Sequence, residues 1–337
     1  MKAVLLENPG PIESDVLHVA DVDVPEPGPG ELLIRVRACG VCRSNLHMIE
    51  GDWVANGVPA KKPIVPGHEV VGTVAALGHA VDGLREGDRV GVQPLWSTDG
   101  TCAFCLSGRE HLCTSKQITG ETVDGGYAEY MVATAAHVHP IPDSLDDASA
   151  APLFCPGITA YSAVAAARLT PGDRVAVFGL GGVGHMVVQF ARVEGAEVVA
   201  ADRNPLHLEV AHELGAARTI DVRDVDAGAA LAFEGGVDAA ILFAPSNLLA
   251  VQALRAVKRG GTLVLGVHVD LGPLAFDDAK TIVESVIGNR TAMRRVLRLA
   301  ELGLVRSVAQ PFPLDQALEA LRALKRGELR SRAVLLA

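Results

Sequence analysis

Alternation of apolar and polar residues marks the first 150 residues of the chain. The segment Glu31–Ala38 alternates in this way, which predicts a strand with one buried face. The runs Glu69–Leu77 and Asp88–Val92 are similar, and glycine and proline residues separate the segments. The pattern therefore predicts a β-rich region at the start of the chain.

The pattern changes near residue 150, where Ala148–Leu169 is rich in alanine and helical in character. Short apolar runs then alternate with segments of helical periodicity. The predicted strands are Arg174–Phe178, Glu197–Ala201, Val237–Phe243 and Thr262–Val267, and the predicted helices are Val183–Glu194, Leu206–Leu214 and Leu248–Val257. Repeated strand–helix–strand units indicate a parallel sheet with helices on both faces. The last predicted elements are helices at Thr291–Leu302 and Leu314–Lys325 and a strand at Arg332–Leu336.

Length and composition narrow the class of protein. A chain of 337 residues is long enough for two domains, each with its own core. Hydrophobic residues make up 49% and charged residues 21%, which is typical of a globular protein and excludes a disordered or fibrous chain. The net charge of −10 argues against nucleic acid or an anionic membrane as a partner.

The lengths of the apolar runs also indicate the cellular compartment of the protein. Only four apolar residues lie between Lys2 and Glu7, fewer than a secretory signal needs, and no run approaches the length of a membrane span. We therefore expect a cytoplasmic protein without a membrane partner. In that compartment cysteines favour metal or redox chemistry over disulfides. The cysteines of the chain are Cys39, Cys42, Cys102, Cys105, Cys113 and Cys155.

A glycine-rich motif lies between a predicted strand and a predicted helix. It reads Gly179, Leu180, Gly181, Gly182, Val183 and Gly184, which matches G-x-G-x-x-G. Such glycines allow a tight turn and close approach of a pyrophosphate, and the helix N-terminus attracts the phosphates. Asp202, 23 residues after Gly179, would accept hydrogen bonds from the adenosine ribose. The neighbouring Arg203 is able to hold a 2′-phosphate, but Asp202 favours NAD over NADP.

Two cysteines and one histidine lie in distinctive local strings. These strings are Cys42-Arg43-Ser44-Asn45-Leu46-His47, Pro66-Gly67-His68-Glu69 and Phe154-Cys155-Pro156-Gly157. Two thiolates and one imidazole around zinc leave a fourth position open, as in a catalytic zinc site. From the residues alone, ordinary buried cysteines and an ordinary histidine are an equally good interpretation. Cys39 and Cys42 also form C-x-x-C, but without the setting of a redox pair, so Cys39 receives no role.

These strings, their order and the glycine motif resemble the zinc-dependent medium-chain alcohol dehydrogenases over essentially the whole chain. The resemblance implies an α/β protein in which residues 1–154 and 289–337 form a β-rich, GroES-like catalytic domain. Residues 155–288 would form a Rossmann domain, a doubly wound parallel sheet that binds the coenzyme. The implied reaction interconverts primary or secondary alcohols and aldehydes or ketones by hydride transfer to NAD.

The resemblance also implies roles around a catalytic zinc ion. Cys42, His68 and Cys155 would be its ligands, with Glu69 as a carboxylate near the metal.

Three residues of the first string would act next to the ligands. Ser44 and His47 would carry the alcohol proton toward the surface. The family commonly has aspartate, a partner of the zinc-bound histidine, where this chain has Asn45. An amide adds no negative charge, so we expect an intact site with altered metal affinity or alcohol pKa.

A second zinc site is expected in a cysteine-rich segment. In the family four cysteines at this spacing hold a structural zinc; here Asp99, Cys102, Cys105 and Cys113 occupy the positions. Carboxylate is an acceptable zinc ligand, so the expectation is two zinc ions per subunit. His111 is an alternative to Asp99, and an empty segment with three free thiols is the alternative to a metal site.

The remaining expectations concern the substrate, the coenzyme and assembly. Trp53 and Trp96 match or lie near positions that line the alcohol pocket of the family, and Arg332 matches an arginine that reaches the coenzyme pyrophosphate. The expected partners are a small alcohol or aldehyde and further copies of the chain, in a tetramer or a dimer. Two alternatives stay open: a related polyol or aryl-alcohol dehydrogenase and a non-catalytic nucleotide-binding redox sensor. A zinc-free reductase of the same fold would lack Cys42, His68 and Cys155, and all three are present.

Overall fold

The computed structural model describes all 337 residues and divides the chain into two compact units. The first unit comprises Met1–Cys155, Asn289–Glu301 and Ser307–Ala337, and the second comprises Pro156–Gly288 and Leu302–Arg306. The predicted boundaries differ from these at two points. Cys155 lies in the first unit rather than the second, and residues 302–306 lie in the second unit rather than the first.

The chain contains strands and helices throughout. The strands are Lys2–Leu6, Leu17–Asp21, Glu31–Gly40, Val70–Leu77, Arg89–Val92, Leu95–Ser97, Gln117–Ile118, Tyr130–Thr134, Val138–Pro140, Arg174–Phe178, Glu197–Asp202, Arg218–Asp221, Val237–Leu242, Val257–Leu265, Thr281–Glu284, Ala309–Pro313 and Arg332–Leu336 (β1 to β17). The α-helices are Arg43–Glu50, Ala103–Leu106, Asp147–Ala150, Pro156–Ala167, Gly184–Val193, Pro205–Glu213, Ala227–Phe233, Asn247–Ala256, Arg290–Glu301 and Ala317–Arg326 (α1 to α10). No single helix is long and apolar enough to cross a bilayer; only the bent pair Asp147–Phe154 and Pro156–Ala167 meets that requirement in combination.

The first unit is built on a seven-stranded sheet, as the alternating pattern predicted. Its strands follow the order β16-β17-β3-β4-β5-β9, and β8 pairs with β3. All of its pairs are antiparallel except β16 with β17. In β3 the residues Ile34 and Val36 are buried in the core, whereas Arg35 and Arg37 point to solvent. This strand leads directly into the first of the cysteine strings.

The second unit has the predicted parallel sheet. Its six strands follow the order β12-β11-β10-β13-β14-β15, and every pair is parallel. In chain order this is the 3-2-1-4-5-6 arrangement of a doubly wound nucleotide-binding sheet, so the expected fold class is confirmed. The strands β12 and β15 and helix α7 were not predicted. In β12 only Ile220 is buried, which leaves too weak an apolar pattern to recognise.

The predicted helix Ala148–Leu169 is interrupted in the structure. Helix α3 passes into a turn of 3-10 helix at Ala151–Phe154, and α4 begins at Pro156. Cys155 between them has φ −128° and ψ −68°, outside the helical region. The break has a local cause, because a proline disfavours helical backbone at the residue before it. Cys155 therefore lies between two helical segments, and its sulfur joins the cluster formed with Cys42, His68 and Glu69.

Candidate active site and metal centres

The first metal-binding cluster is assembled where β3 ends. Cys42 is the N-cap residue of α1, and His68 and Glu69 immediately precede β4, the partner strand of β3. The backbone N–H of Gly40 donates to the carbonyl of Glu69 at 3.0 Å. A Cβ atom at Gly40 would lie 1.9 Å from the Glu69 Oε2 atom. Position 40 therefore requires glycine if the two segments are to meet.

Four side chains converge in this cluster. The ligand atoms of Cys42, His68, Glu69 and Cys155 lie within 4.8 Å of one another, and all four residues are buried. The two sulfur atoms are 3.7 Å apart. The Ser44 hydroxyl donates to the Cys42 sulfur at 3.0 Å and lies 3.4 Å from His68 Nε2, so this ring nitrogen faces the cluster. Two thiols, one imidazole and one carboxylate form a donor set that suits zinc.

The electrostatics of the cluster favour negative sulfur. A hydrogen bond from Cys155 lowers the pKa of Cys42 well below its ordinary value, against the effect of burial, and Arg332 and His68 add to the decrease. The same hydrogen bond and burial raise the pKa of Cys155. Burial opposes the charged form of His68, but Cys42, Glu121 and Glu69 together outweigh it and raise the pKa of the imidazole. Zinc binds thiolate rather than thiol, so a cation at this site would displace the protons that remain on the two sulfur atoms.

Arg332 pairs with a residue of the first cluster. Its guanidinium donates to both carboxylate oxygens of Glu69, at 3.2 Å from Nε to Oε2 and with a second bond from Nη2 to Oε1, and both side chains are buried. Burial raises the pKa of Glu69 to about 7, and the charge of Arg332 opposes that increase. The sequence did not predict this pairing with Glu69, and contact of Arg332 with the coenzyme pyrophosphate stays a prediction. The pair occupies Nε and Nη2 of the guanidinium, and no bond of Nη1 to Glu69 is part of it.

His47 and Trp53 lie together at the surface side of α1. The His47 Nδ1 atom is 2.6 Å from the Asp52 carboxylate, and 38% of the histidine side chain is exposed. The rings of His47 and Trp53 are 5.7 Å apart. Asp52 was not among the predicted site residues. Its partnership with His47 gives that histidine a fixed orientation at the solvent boundary.

Trp96 is not brought together with the metal-binding residues. Its indole N–H donates to the Val132 carbonyl, and the side chain lines a cavity of about 480 Å³ that also includes Met1, Lys61 and Tyr130. None of the four residues of the first cluster lines this cavity. The place of Trp96 near the substrate pocket stays a prediction.

The second metal-binding cluster lies in one short segment. The ligand atoms of Asp99, Cys102, Cys105 and Cys113 are within 4.8 Å of one another. One Asp99 oxygen accepts from the backbone N–H groups of residues 101 and 102, both at 2.9 Å, and the other accepts from the Cys113 thiol at 3.2 Å. The hydrogen bond from the Cys102 N–H is the main cause of a strongly lowered pKa of Asp99. Burial raises the pKa of Cys105 to about 11. His111 is not among the four converging side chains.

The glycine motif has the geometry of a phosphate-binding turn. Gly179 has a φ of +88°, which favours glycine, and a Cβ atom at Gly184 would lie 1.9 Å from the Gly179 carbonyl oxygen. A Cβ at Gly181, in contrast, would meet only one atom, 3.8 Å away on His207. Gly182 and Val183 are half-buried, and Val183 is the N-cap of α5. The turn thus packs tightly at its ends and leaves its centre open to a ligand.

Asp202 lies beside this turn at the end of β11. Its carboxylate accepts from the backbone N–H of Leu180 at 2.6 Å and of Asn204 at 2.8 Å, and it lies 3.3 Å from His207 Nδ1. Burial opposes ionisation, but these hydrogen bonds, His207 first, lower the pKa of Asp202 overall. Arg203 is exposed next to it. His207 was missed by sequence reasoning, because nothing in the helical pattern of α6 distinguishes it.

Comparisons with known proteins identify the family. Residues 28–143 match the alcohol dehydrogenase GroES-like domain, and residues 182–301 match the zinc-binding dehydrogenase domain. An alcohol dehydrogenase of Geobacillus stearothermophilus is 39% identical over 325 residues, which cover 95% of this chain and 96% of that protein. These matches define a two-domain dehydrogenase. The chain belongs to the zinc-dependent medium-chain alcohol dehydrogenase family, as its sequence motifs predicted.

Solved structures agree with this assignment. The crystal structure of the alcohol dehydrogenase from Aeropyrum pernix superimposes with a TM-score of 0.92 at 32% identity and covers 100% of both chains. A cobalt- and zinc-bound thermostable alcohol dehydrogenase from Pyrobaculum aerophilum has a TM-score of 0.89 at 28% identity, covering 100% of this chain and 99% of that one. The present chain is similar to both over its whole length.

Proposed function

We propose that this protein is a zinc-dependent enzyme that interconverts primary or secondary alcohols and aldehydes or ketones with NAD as the hydride acceptor. The observation that carries the proposal is the buried convergence of Cys42, His68 and Cys155 in a member of this family. Glu69 is a fourth possible donor, through oxygen, but it is paired with Arg332, so three ligands and an available position would remain. Zinc bound there would supply Lewis acidity that makes an alcohol hydroxyl easier to deprotonate.

Ser44 and His47 are proposed as the two ends of the proton path. The Ser44 hydroxyl lies beside the metal ligands and is able to donate one hydrogen bond while it accepts another. His47 lies three residues further along α1, on the same side of the helix, and is partly exposed to water. Ser44 would accept the alcohol proton while it donates its own, and His47, oriented by Asp52, would release a proton to water at the end of the path.

NAD is proposed as the coenzyme because of Asp202. The carboxylate lies next to the glycine turn, where it would accept hydrogen bonds from a ribose and repel a 2′-phosphate. The open centre of the turn at Gly181 and the positive end of the α5 dipole suit a pyrophosphate.

A second, structural zinc ion is proposed at Asp99, Cys102, Cys105 and Cys113. The four donors already converge, and a carboxylate with three sulfur atoms is an acceptable zinc set. All four donors come from one short segment, so the role of this ion would be structural.

We further propose a cytoplasmic homo-oligomer. All six cysteines are free thiols, which suits a reducing compartment. The edge strand β15 is flanked by large exposed side chains, with Phe276 94% and Val286 54% exposed, which suit association with a second copy. Light scattering of the purified protein would measure the assembly directly.

A substrate panel tests the proposed function. Simple primary and secondary alcohols, polyols and aryl alcohols should be assayed with NAD and with NADP, before and after treatment with a chelator. We expect alcohol-dependent NADH formation that chelation abolishes and added zinc restores, with NADP a poorer acceptor. If the zinc-loaded protein forms no NADH from any alcohol, the proposal is wrong and a nucleotide-binding sensor becomes the better interpretation.

A further inference from the structure

The two ring nitrogens of His68 face different surroundings. Nε2 lies 3.4 Å from the Ser44 hydroxyl, on the side of the two cysteines. Nδ1 points away from them, to the Asn45 amide nitrogen at 3.3 Å and to the Glu121 Oε1 atom at 3.7 Å. Neither the sequence motifs nor the resemblance assigned any role to Glu121. Its carboxylate is the one anionic group in ion-pair range of Nδ1.

A histidine that binds a metal through Nε2 carries its proton on Nδ1, and that N–H requires an acceptor. Asn45 presents its NH₂ group to Nδ1, while its carbonyl oxygen accepts from the Tyr127 hydroxyl at 3.5 Å. In this arrangement two donors would face each other. Reversing the amide would relieve the conflict, but an amide in either orientation is neutral.

Glu121 supplies what Asn45 lacks. A carboxylate is an acceptor only and carries a full negative charge, which increases the basicity of the metal-bound imidazole. The present distance of 3.7 Å is that of an ion pair. A shift of about half an ångström would bring this oxygen into hydrogen-bond range, and the terminal torsion of a glutamate is soft.

The backbone around Glu121 fixes it against His68. The Glu121 N–H donates to Ile118, and its carbonyl accepts from the Ala60 N–H at 3.0 Å. The preceding residue, Gly120, has a φ of +70°, and a Cβ atom there would lie 2.6 Å from the backbone nitrogen of Gly67. The turn that carries Glu121 thus packs directly on the residue before His68. With only 14% of its side chain exposed, Glu121 is held in place by the fold.

We propose that Glu121 is the positioning residue of His68 and provides, from a different segment of the chain, the carboxylate that position 45 does not supply. The inference rests on the proposed zinc site, and it extends that proposal to a residue outside every motif of the chain. In Glu121→Gln the shape is retained and the charge is lost, so zinc should be held less tightly by about 10- to 100-fold.

The test measures zinc release to a chromophoric chelator at pH 8. Cys155→Ser identifies the release phase that belongs to the first cluster. We expect Glu121→Gln to weaken zinc binding in that phase and to change the visible spectrum of the cobalt-substituted protein. Asn45→Asp in the Glu121→Gln background should restore most of the affinity, because the new carboxylate faces the same Nδ1 atom.

Glu50→Gln is the matched control. Glu50 is 20% exposed and is bound to Lys325, so the variant removes a similarly buried carboxylate that does not contact a metal ligand. Its zinc affinity should equal that of the wild type. Glu121→Asp, which keeps the charge but shortens the side chain, should have an intermediate affinity and provides a second measurement if Glu121→Gln does not fold.

Unchanged zinc affinity and an unchanged cobalt spectrum in a folded Glu121→Gln or Glu121→Asp variant would overturn the proposal. The measurement needs no alcohol, so it is separate from the test of function. A wild type that shows the Cys155-dependent zinc phase but oxidises no alcohol contradicts the proposed reaction and leaves the role of Glu121 standing.

Discussion

The two cysteine clusters of the first unit use similar ligands in contrasting surroundings. The first is fully buried, and its ligands come from the β3–α1 junction, the start of β4 and the helix break at Cys155. The second lies between Asp99 and Cys113, with its aspartate exposed and two of its cysteines half-buried. A site assembled from distant segments forms only when the fold is complete. A site within one segment instead depends on its metal to order that segment. The first cluster is therefore suited to chemistry and the second to stability.

The largest effect is expected when a ligand of the buried cluster is removed. Cys155→Ser should lower the rate of alcohol oxidation by about 1000-fold, because several kcal/mol of Lewis-acid stabilisation are lost. The melting temperature should change little, and elemental analysis should find one zinc ion fewer per chain. Cys39→Ala, a buried cysteine outside the cluster, is the control and should keep full activity and metal content. A marked loss of stability with activity retained would reverse the assignment of the two clusters.

Removal of a ligand from the exposed cluster should lower stability and leave activity nearly unchanged, the reverse of the effect at the buried cluster. Cys102→Ser is expected to lose zinc from the segment and about 3 kcal/mol of stability, the value for a metal present at a few hundred times its dissociation constant. Activity measured below the melting transition should be nearly unchanged. Leu106→Gln, at a position 77% exposed in the same segment, serves as the control for denaturant unfolding. Equal stability with and without the zinc ion would show that this cluster has no structural role.

A smaller effect is expected for His47, the proposed surface end of the proton path. His47→Gln should slow alcohol oxidation by less than about 100-fold, since solvent water also accepts the proton, and high concentrations of buffer should recover part of the loss. Zinc content should be that of the wild type. His18→Gln, at another exposed histidine with a carboxylate partner, is the matched control. A reduced rate that no buffer improves would argue that His47 acts by packing against Trp53 instead.

The smallest effect is expected when Asp99 is converted into a fourth cysteine. Asp99→Cys should tighten zinc binding in the exposed cluster by about tenfold, because sulfur is the stronger zinc donor, and leave activity unchanged. The carboxylate also accepts two backbone hydrogen bonds, which the thiol will not replace, so the gain is modest. Chelator competition against the wild type measures the difference. Weaker binding in Asp99→Cys would mean that those hydrogen bonds matter more than the ligand.

The sequence predicted the parts of the molecule that local patterns encode. The strand Arg174–Phe178, the glycine turn and Asp202 lie as predicted, because each depends on neighbours close in the chain. The family resemblance linked Cys42, His68 and Cys155, which spacing alone could not connect. Their convergence in the structure follows from β3–β4 pairing and from the break before Pro156.

Other parts could not be predicted, because their partners are remote in sequence. The pairing of Arg332 with Glu69 joins residues 263 positions apart, and the contact of Glu121 with His68 crosses 53 residues of chain. No local pattern marks either contact. The break at Cys155 did have a local signal, the proline that follows it, but the alanine-rich composition on both sides suggested one continuous helix.

The hydrogen bonds of Asp202 have a consequence for protein engineering. Because its carboxylate closes the turn at the Leu180 amide, an exchange intended to admit a phosphorylated coenzyme would also leave that amide without its acceptor. The Asp202 side chain thus contributes both to the choice between NAD and NADP and to the stability of the glycine turn. Redesign should begin with the exposed neighbour Arg203 and with His207, where the surroundings are able to change while the turn keeps its anchor.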